Sequence, residues 1–189
     1  FRKFELLADL IVRRKINSVQ VFDRKNSLID MQLSKNLTLA ECTKSTTASR
    51  LGINNTPEDE WVIENLKAIA EHVFQPLRDA FGCPIYVSSG YRGPELNRAI
   101  GGAIRSQHME GRALDLDADV FGRCTNAQIF NWIRENVEFD QLVWEFGDSD
   151  NPNWVHVSYV HGGVNRGRCL KACRDDKGKT YYEVMFKSL

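Results

Sequence analysis

The chain has 189 residues with 25 basic and 25 acidic side chains, so its formal net charge is zero, and 42% of its residues are hydrophobic against 26% charged. That length suits one ordinary domain, alone or with an extension, and is enough to bury a core without staples. A balanced charge with no basic stripe interleaved with aromatics argues against a nucleic-acid partner, and no apolar run reaches membrane-spanning length. Cys42, Cys83, Cys124, Cys169 and Cys173 are odd in number, scattered and without a Cys-x-x-Cys pair, the pattern of reduced thiols rather than a disulfide frame or a zinc knuckle. No basic-then-apolar-then-small leader opens the chain, so the expectation is synthesis in the cytoplasm without a signal peptide.

Taken in order, residues 1–32 stand apart as an N-terminal extension. FRKFELLADLIVRRKI spaces Phe4, Leu7, Ile11 and Ile16 as a short amphipathic helix, and SVQVFDRKNSLIDMQL suggests two short strands around Arg24–Ser27. Two readings fit this segment: a peripheral hairpin packed on the main domain, or an arm that docks another protein. Residues 33–189 then form the main domain. SKNLTLAECTKSTTASRLGINNTP is rich in Ser, Thr and Asn and is expected to be irregular structure and caps. Thr56 and Pro57 are the expected N-cap and first turn of a helix whose Trp61, Ile63, Leu66, Ile69, Val73 and Leu77 recur at helical spacing to about Ala80. His72 on that helix reads as a surface or core-edge histidine.

CPIYVSSGYR predicts a strand running into a turn, GPELNRAIGG a short helix closed by glycines, and RALDLDADV a strand with Asp115, Asp117 and Asp119 on one face and Leu114, Leu116 and Ala118 on the other. TNAQIFNWIRENV predicts a helix capped by Thr125 or Asn126. FDQLVWEF and WVHVSYV are strands separated by the turn-rich GDSDNPNW, and GRCLKACRDDKGKTYYEVMF predicts a closing hairpin that turns at Asp176–Gly178. Helices beside hairpin-joined strands indicate an α+β fold with a small, mainly antiparallel sheet and flanking helices.

The chemistry concentrates in SQHMEGRALDLD, residues 106–117. Three acids on one strand face repel unless water reaches them or a cation lies over them, so a solvated face and a metal site share this local pattern. His156, alternating between Val155 and Val157, is either a satisfied core histidine or a ligand. Together His108, Asp115 and His156 make a His₂Asp set suited to an open zinc site, and the absence of His-Glu-x-x-His excludes a helical zincin. A zinc peptidase also needs a carboxylate to accept the proton of the attacking water. Glu145, at the end of a strand and flanked by Trp144 and Phe146 as candidate shields, is the first choice, ahead of Asp148, Asp150 and Glu110. Arg92 suits a substrate carboxylate or carbonyl but fits a surface arginine equally well. Ser106 and Ser158 are candidates to support the site by hydrogen bonds, and His161 reads as an exposed turn residue.

These residues carry a resemblance. SSGYR, then Ser-x-His-x-x-Gly-x-Ala-x-Asp at Ser106, His108, Gly111, Ala113 and Asp115, then a strand histidine at His156, resembles the zinc D-alanyl-D-alanine carboxypeptidases and their relatives over roughly residues 32–189. The group includes D-Ala-D-Ala dipeptidases, L-alanyl-D-glutamate endopeptidases of bacteriophage lysins and the related fold of hedgehog domains. LSKNLTLAECTKSTTASRLGINNTP looks like the phage-borne branch. The resemblance implies a hedgehog/DD-peptidase-like fold, Zn²⁺ held by His108, Asp115 and His156, and Arg92 with Ser106 on the substrate side. Many members place the catalytic carboxylate three residues before the last histidine, where this chain has Asn153. A hedgehog-like arrangement instead draws a glutamate from the end of the preceding strand, which Glu145 matches with a longer intervening loop.

Two functions follow as expectations. One is a zinc peptidase that cuts peptidoglycan stem peptides at the bacterial cell wall, as a phage lysin or a virion-borne enzyme whose N-terminal arm contacts other virion proteins. The other is a catalytically inactive, zinc-stabilised binding or virion structural module of the same fold. A cytosolic dipeptidase acting on free D-Ala-D-Ala is a third. None calls for nucleic acid or a membrane.

Overall fold

A computed structural model describes residues 30–185. The helix and most of the hairpin expected in the N-terminal extension lie outside the described residues. A two-stranded ribbon, β1 (Gln32–Ser34) and β2 (Leu37–Thr38), leads into two short helices, α1 (Leu39–Thr43) and α2 (Thr46–Leu51). This Ser/Thr-rich stretch is therefore more ordered than its composition suggests, because the polar residues serve as caps. Thr38 accepts from the Glu41 amide while Glu41 reaches back to the Thr38 amide, a reciprocal capping box, and Ser45 caps α2 through the Ala48 amide.

The long helical segment starts later than Thr56 and Pro57 indicate. Asp59 is its N-cap residue, and α3 (Glu60–Ile69) passes through one π-helical turn, Ala70–Phe74, into α4 (Gln75–Phe81). Leu66, Ile69, Val73 and Leu77 are buried as their spacing predicts, whereas Trp61 at the first turn stays 47% exposed. His72 is exposed and its ring stacks on Tyr159 at 5.1 Å.

The remaining elements are β3 (Tyr86–Ser89), α5 (Pro94–Ala99), β4 (Ala113–Asp117), α6 (Asn126–Asn136), β5 (Gln141–Glu145), β6 (Trp154–Ser158), β7 (Arg168–Arg174) and β8 (Thr180–Val184). Six of the strands form one sheet in the order β3-β4-β6-β5-β7-β8. Its pairings are antiparallel except β5–β7, which is parallel. The α+β architecture with a mainly antiparallel sheet is the one the sequence indicates. Strand β4 ends at Asp117, so Asp119 does not continue the acidic face. It opens a short 3₁₀ turn and accepts hydrogen bonds from Asn126 and Asn151. Thr125, not Asn126, caps α6, through a second capping box with Gln128.

Alternation divides the sheet into two faces. Leu114 and Leu116 of β4, Val155 and Val157 of β6, and Leu142 and Trp144 of β5 turn toward α3, α4 and α6, where they join Leu66, Ile69, Leu77, Ile129, Phe130 and Ile133 in one core. Each such fully buried aliphatic side chain contributes about 1.5–3 kcal/mol. The opposite face carries Asp115, His156 and Glu145 beside a small apolar cluster of Val143, Leu170 and Ala172. Cys83 and Cys124 meet in the core with sulfurs 3.3 Å apart, a proximity their spacing of 41 residues hides.

Candidate metal centre and active-site cleft

Three adjacent strand positions set the centre. Asp115 of β4 pairs with His156 of β6, and His156 pairs with Val143 of β5, so the side chains of Asp115 and His156 rise side by side from the open face. His108 reaches them from a 3₁₀ turn, Gln107–Glu110, that precedes β4. Gly111 makes this possible. It adopts φ 68°, and a Cβ there would meet the Val62 carbonyl oxygen of α3 at 2.5 Å, so the chain turns back into β4 pressed against the helix. Asn65 of α3 secures the same turn by donating to the Glu110 carbonyl at 2.9 Å.

The donor atoms converge. His156 Nδ1 lies 2.9 Å from Asp115 Oδ1, His108 Nε2 lies 3.2 Å from the same oxygen, and the two imidazole nitrogens are 3.3 Å apart. All three ligand atoms lie within 4.8 Å of one another, a spacing able to hold a metal ion. The second nitrogen of His108 decides its tautomer. Nδ1 sits 2.6 Å from the Gly90 carbonyl oxygen, an acceptor only, so Nδ1 carries the proton and Nε2 presents a lone pair. Gly90 can lie this close because its backbone rests on Cys42, whose carbonyl oxygen a Cβ at position 90 would approach to 2.6 Å. Burial lowers the pKa of His108, against the pull of Asp115, and keeps the ring in the neutral form that ligates. For Asp115 burial acts to raise the pKa, but its electrostatic interactions and hydrogen bonds with His108 and His156 outweigh it and hold the carboxyl far below the usual range. Two imidazoles and one carboxylate, open on one side to a cavity, are the donor set of an open zinc site.

That cavity, about 900 Å³, is lined by His108, Asp115 and His156 together with Glu145, Arg92 and Ser106, so the structure gathers these six residues into one cleft. Glu145 is the last residue of β5 and pairs with Trp154 of β6, two positions from His156. The loop FGDSDNPN does not separate them, because it closes the β5–β6 hairpin. Phe146, at φ 55°, turns the chain directly after Glu145, and its ring packs edge-on to Trp154 at 5.5 Å and under the Arg174 guanidinium at 4.7 Å. Of the two expected shields of Glu145, Phe146 lines the cleft, whereas Trp144 faces the core against Phe130 and Trp154 stands on the cleft side. Burial raises the Glu145 pKa to about 7, with His156 and Arg92 opposing and Asp115 reinforcing the shift. Asn153 lines a different depression, with Lys171 and Arg174, and its amide donates to the Glu145 carbonyl.

Arg92 is half-buried. Its Nη2 donates to Ser106 at 3.4 Å, and its buried Nε has no hydrogen-bond partner among the described residues. Asn55 holds the loop that carries it, donating to the Tyr91 and Thr43 carbonyls and accepting from the Gly93 amide. Ser158 does not support the centre. Its hydroxyl accepts from the Gln141 amide and ties β5 to β6. His161 is exposed, as expected.

One polar network of the cleft escaped sequence reasoning. Asp140, 2% exposed, is clamped by Arg166 through Nε at 2.7 Å and Nη2 at 2.5 Å, and accepts from Gln107 at 2.9 Å, which anchors the residue before His108. No local signal distinguishes Asp140 from other acids before a strand.

The fold and the open His₂Asp centre are those expected of a metallopeptidase. Residues 35–158 match the family model described as Peptidase M15, and the chain belongs to that family. Over 55 residues it is 46% identical to the zinc D-Ala-D-Ala carboxypeptidase of Streptomyces albus G, a stretch that covers 29% of this chain and 22% of that relative. The chain thus matches about a fifth of the relative's length.

Proposed function

We propose that the protein is a zinc peptidase that cleaves peptide bonds in the stem peptides of bacterial peptidoglycan. The observation that carries this reading is the meeting of His108, Asp115, His156 and Glu145 in one cleft of a chain of the M15 family. His108 Nε2, Asp115 and His156 Nδ1 hold the metal. Zinc bound there supplies Lewis acidity for the scissile carbonyl and for water. Glu145 takes the proton of the attacking water and delivers it to the leaving amine, a task suited to a carboxyl with a pKa raised toward neutrality. Arg92, with Ser106 beside it and its Nε unpartnered, anchors a carbonyl or carboxylate of the peptide. The stem peptide as substrate is supported by the likeness to the Streptomyces albus G carboxypeptidase. Its setting in a phage lysin or virion, with residues 1–32 as a docking arm and 33–189 as the peptidase domain, rests on the phage-like character of residues 33–57.

Asn153, where many relatives carry a carboxylate, favours a second reading: a zinc-stabilised binding or structural module without turnover. Digestion of purified peptidoglycan, with products read by mass spectrometry, separates the two. Wild type should release stem-peptide fragments whose masses name the bond cut. Glu145→Gln should retain zinc and lose about a hundred- to ten-thousandfold in rate. Zinc in both proteins and cleavage by neither would establish the second reading.

A further inference from the structure

The C-terminal hairpin β7–β8 lies beyond the segment that matches the family model, yet it forms one wall of the cleft, through Arg168, Leu170, Thr180 and Tyr182. Strand β8 is exposed at all five positions and, among the described strands, pairs only with β7, so core packing does not account for its side chains. The register places Tyr182 with purpose. Glu145 of β5 pairs with Ala172 of β7, and Ala172 pairs with Tyr182 of β8, so all three side chains project from the open face in one row. Neighbouring strands lie about 4.8 Å apart, which puts the Cα atoms of Glu145 and Tyr182 about 10 Å apart with one methyl group between them. A tyrosine side chain spans most of that gap. Tyr181, one residue earlier, points to the opposite face, where it pairs with Cys173.

We infer that Tyr182 is a substrate-contacting residue of the cleft whose phenol donates a hydrogen bond, on the Glu145 side, to the carbonyl oxygen of the peptide bond being cut. Its ring is open to solvent on one side, 55% exposed, as a surface awaiting a ligand would be. Desolvation of its hydroxyl, then the charges of Glu145 and Asp115, raise its pKa, so the group stays a protonated donor across the working range. A donor aimed at an oxygen that gains charge in the transition state acts on the chemical step more than on substrate binding.

This rests on the peptidase reading, and the test separates the two. The zinc-loaded full chain is assayed on a synthetic stem pentapeptide ending in D-Ala-D-Ala, as wild type, Tyr182→Phe and Tyr181→Phe. Zinc content, circular dichroism and affinity for a phosphinate analogue of the cleaved peptide bond are measured alongside. Tyr182→Phe should keep its zinc and fold, lower kcat by at least about tenfold with KM within about twofold, and weaken phosphinate binding in parallel. Tyr181→Phe should match wild type in all of these. A Tyr182→Phe protein with wild-type kcat and phosphinate affinity, or one altered in KM alone, would overturn the inference while leaving the peptidase reading intact. A wild type that cleaves nothing would overturn that reading and the role of Tyr182 with it.

Discussion

Strands β4 and β6 at the middle of the sheet and the hairpin β7–β8 at its edge face the same cleft but are held by different forces. The central strands alternate a fully buried residue with a site residue: Leu114 with Asp115, Val155 with His156. Every ligand there stands on a backbone locked by core packing on the other face. The edge strand β8 has no such backing, and its five residues are all exposed. The centre therefore fixes ligand geometry, which tolerates little displacement, while the edge shapes a wall that meets the substrate. A rigid floor with an adaptable wall is a sensible division where a metal must be held to within tenths of an ångström and a peptide need only be admitted.

Substitutions on the two sides should separate these roles, beginning with the centre. Asp115→Asn removes the shared carboxylate between the two imidazoles. Zinc stoichiometry, by metal analysis of the purified protein, should fall toward zero, and hydrolysis should vanish with it. Wild type should gain about 2.7 kcal/mol of stability from zinc at a hundredfold excess over Kd, and the variant almost none, which a thermal melt with and without metal reads directly. A variant that melted with an undiminished zinc response would place the metal elsewhere. Next in size is the core behind the ligands. Leu114→Ala should cost about 2–5 kcal/mol in urea unfolding, whereas Val184→Ala on the edge strand should change stability by less than about 0.5 kcal/mol. Equal costs would erase the contrast between centre and edge.

The pH dependence sharpens the comparison further, because Glu145 sits where the two regions meet. In the metal-free protein its carboxyl has a folded pKa of about 7 against an ordinary value of 4.5. The folded state thus holds the proton more tightly than the unfolded chain. That contribution to stability is fully present below about pH 4.5 and is lost as pH rises through 7. Metal-free wild type should therefore lose melting temperature between pH 5 and 8 more steeply than Glu145→Gln, which lacks the titration. As the base in catalysis, Glu145 must be deprotonated. Activity should rise with pH along an acid limb set by Glu145, at or below about 7 since a bound cation draws the carboxyl lower. The Glu145→Gln residual rate should lack that limb.

Much of the site could be read in the sequence because its parts are local or periodic. Ser106, His108, Gly111 and Asp115 lie within ten residues, and the spacing itself encodes a turn followed by a strand. His156 stands out because polar residues rarely alternate with valines by propensity alone. Glu145 was legible as a strand end, and of its two candidate shields Phe146 lines the cleft beside it. Trp144 looked like a shield from its adjacency, yet residues next to each other in a strand face opposite ways, and the indole that lines the cleft is that of Trp154, across the hairpin. Ser158 was misjudged for a different reason: it lies two residues along the strand from His156, but its hydroxyl is taken up by the Gln141 amide of β5. Asp140, Arg166 and Gln107, and the clamp of Asn55 on the Arg92 loop, left no trace because their partners lie 12 to 38 residues away, where spacing carries no information about contact.

The sequence by itself determined the alternation of the strands that carry the site, the α+β class and the identity of three residues able to bind a metal, since these depend on periodicity and on chemistry within a turn or two of chain. Only the tertiary structure decided that β5 lies between β6 and β7, with its partner β7 parallel. That order brings Glu145 beside the His156 strand and lets an edge tyrosine look across an alanine at the same carboxylate. Strand order and register arise from the collective burial of Leu114, Val155, Leu142 and their helical partners, a sum over the whole core that no single stretch of the chain contains.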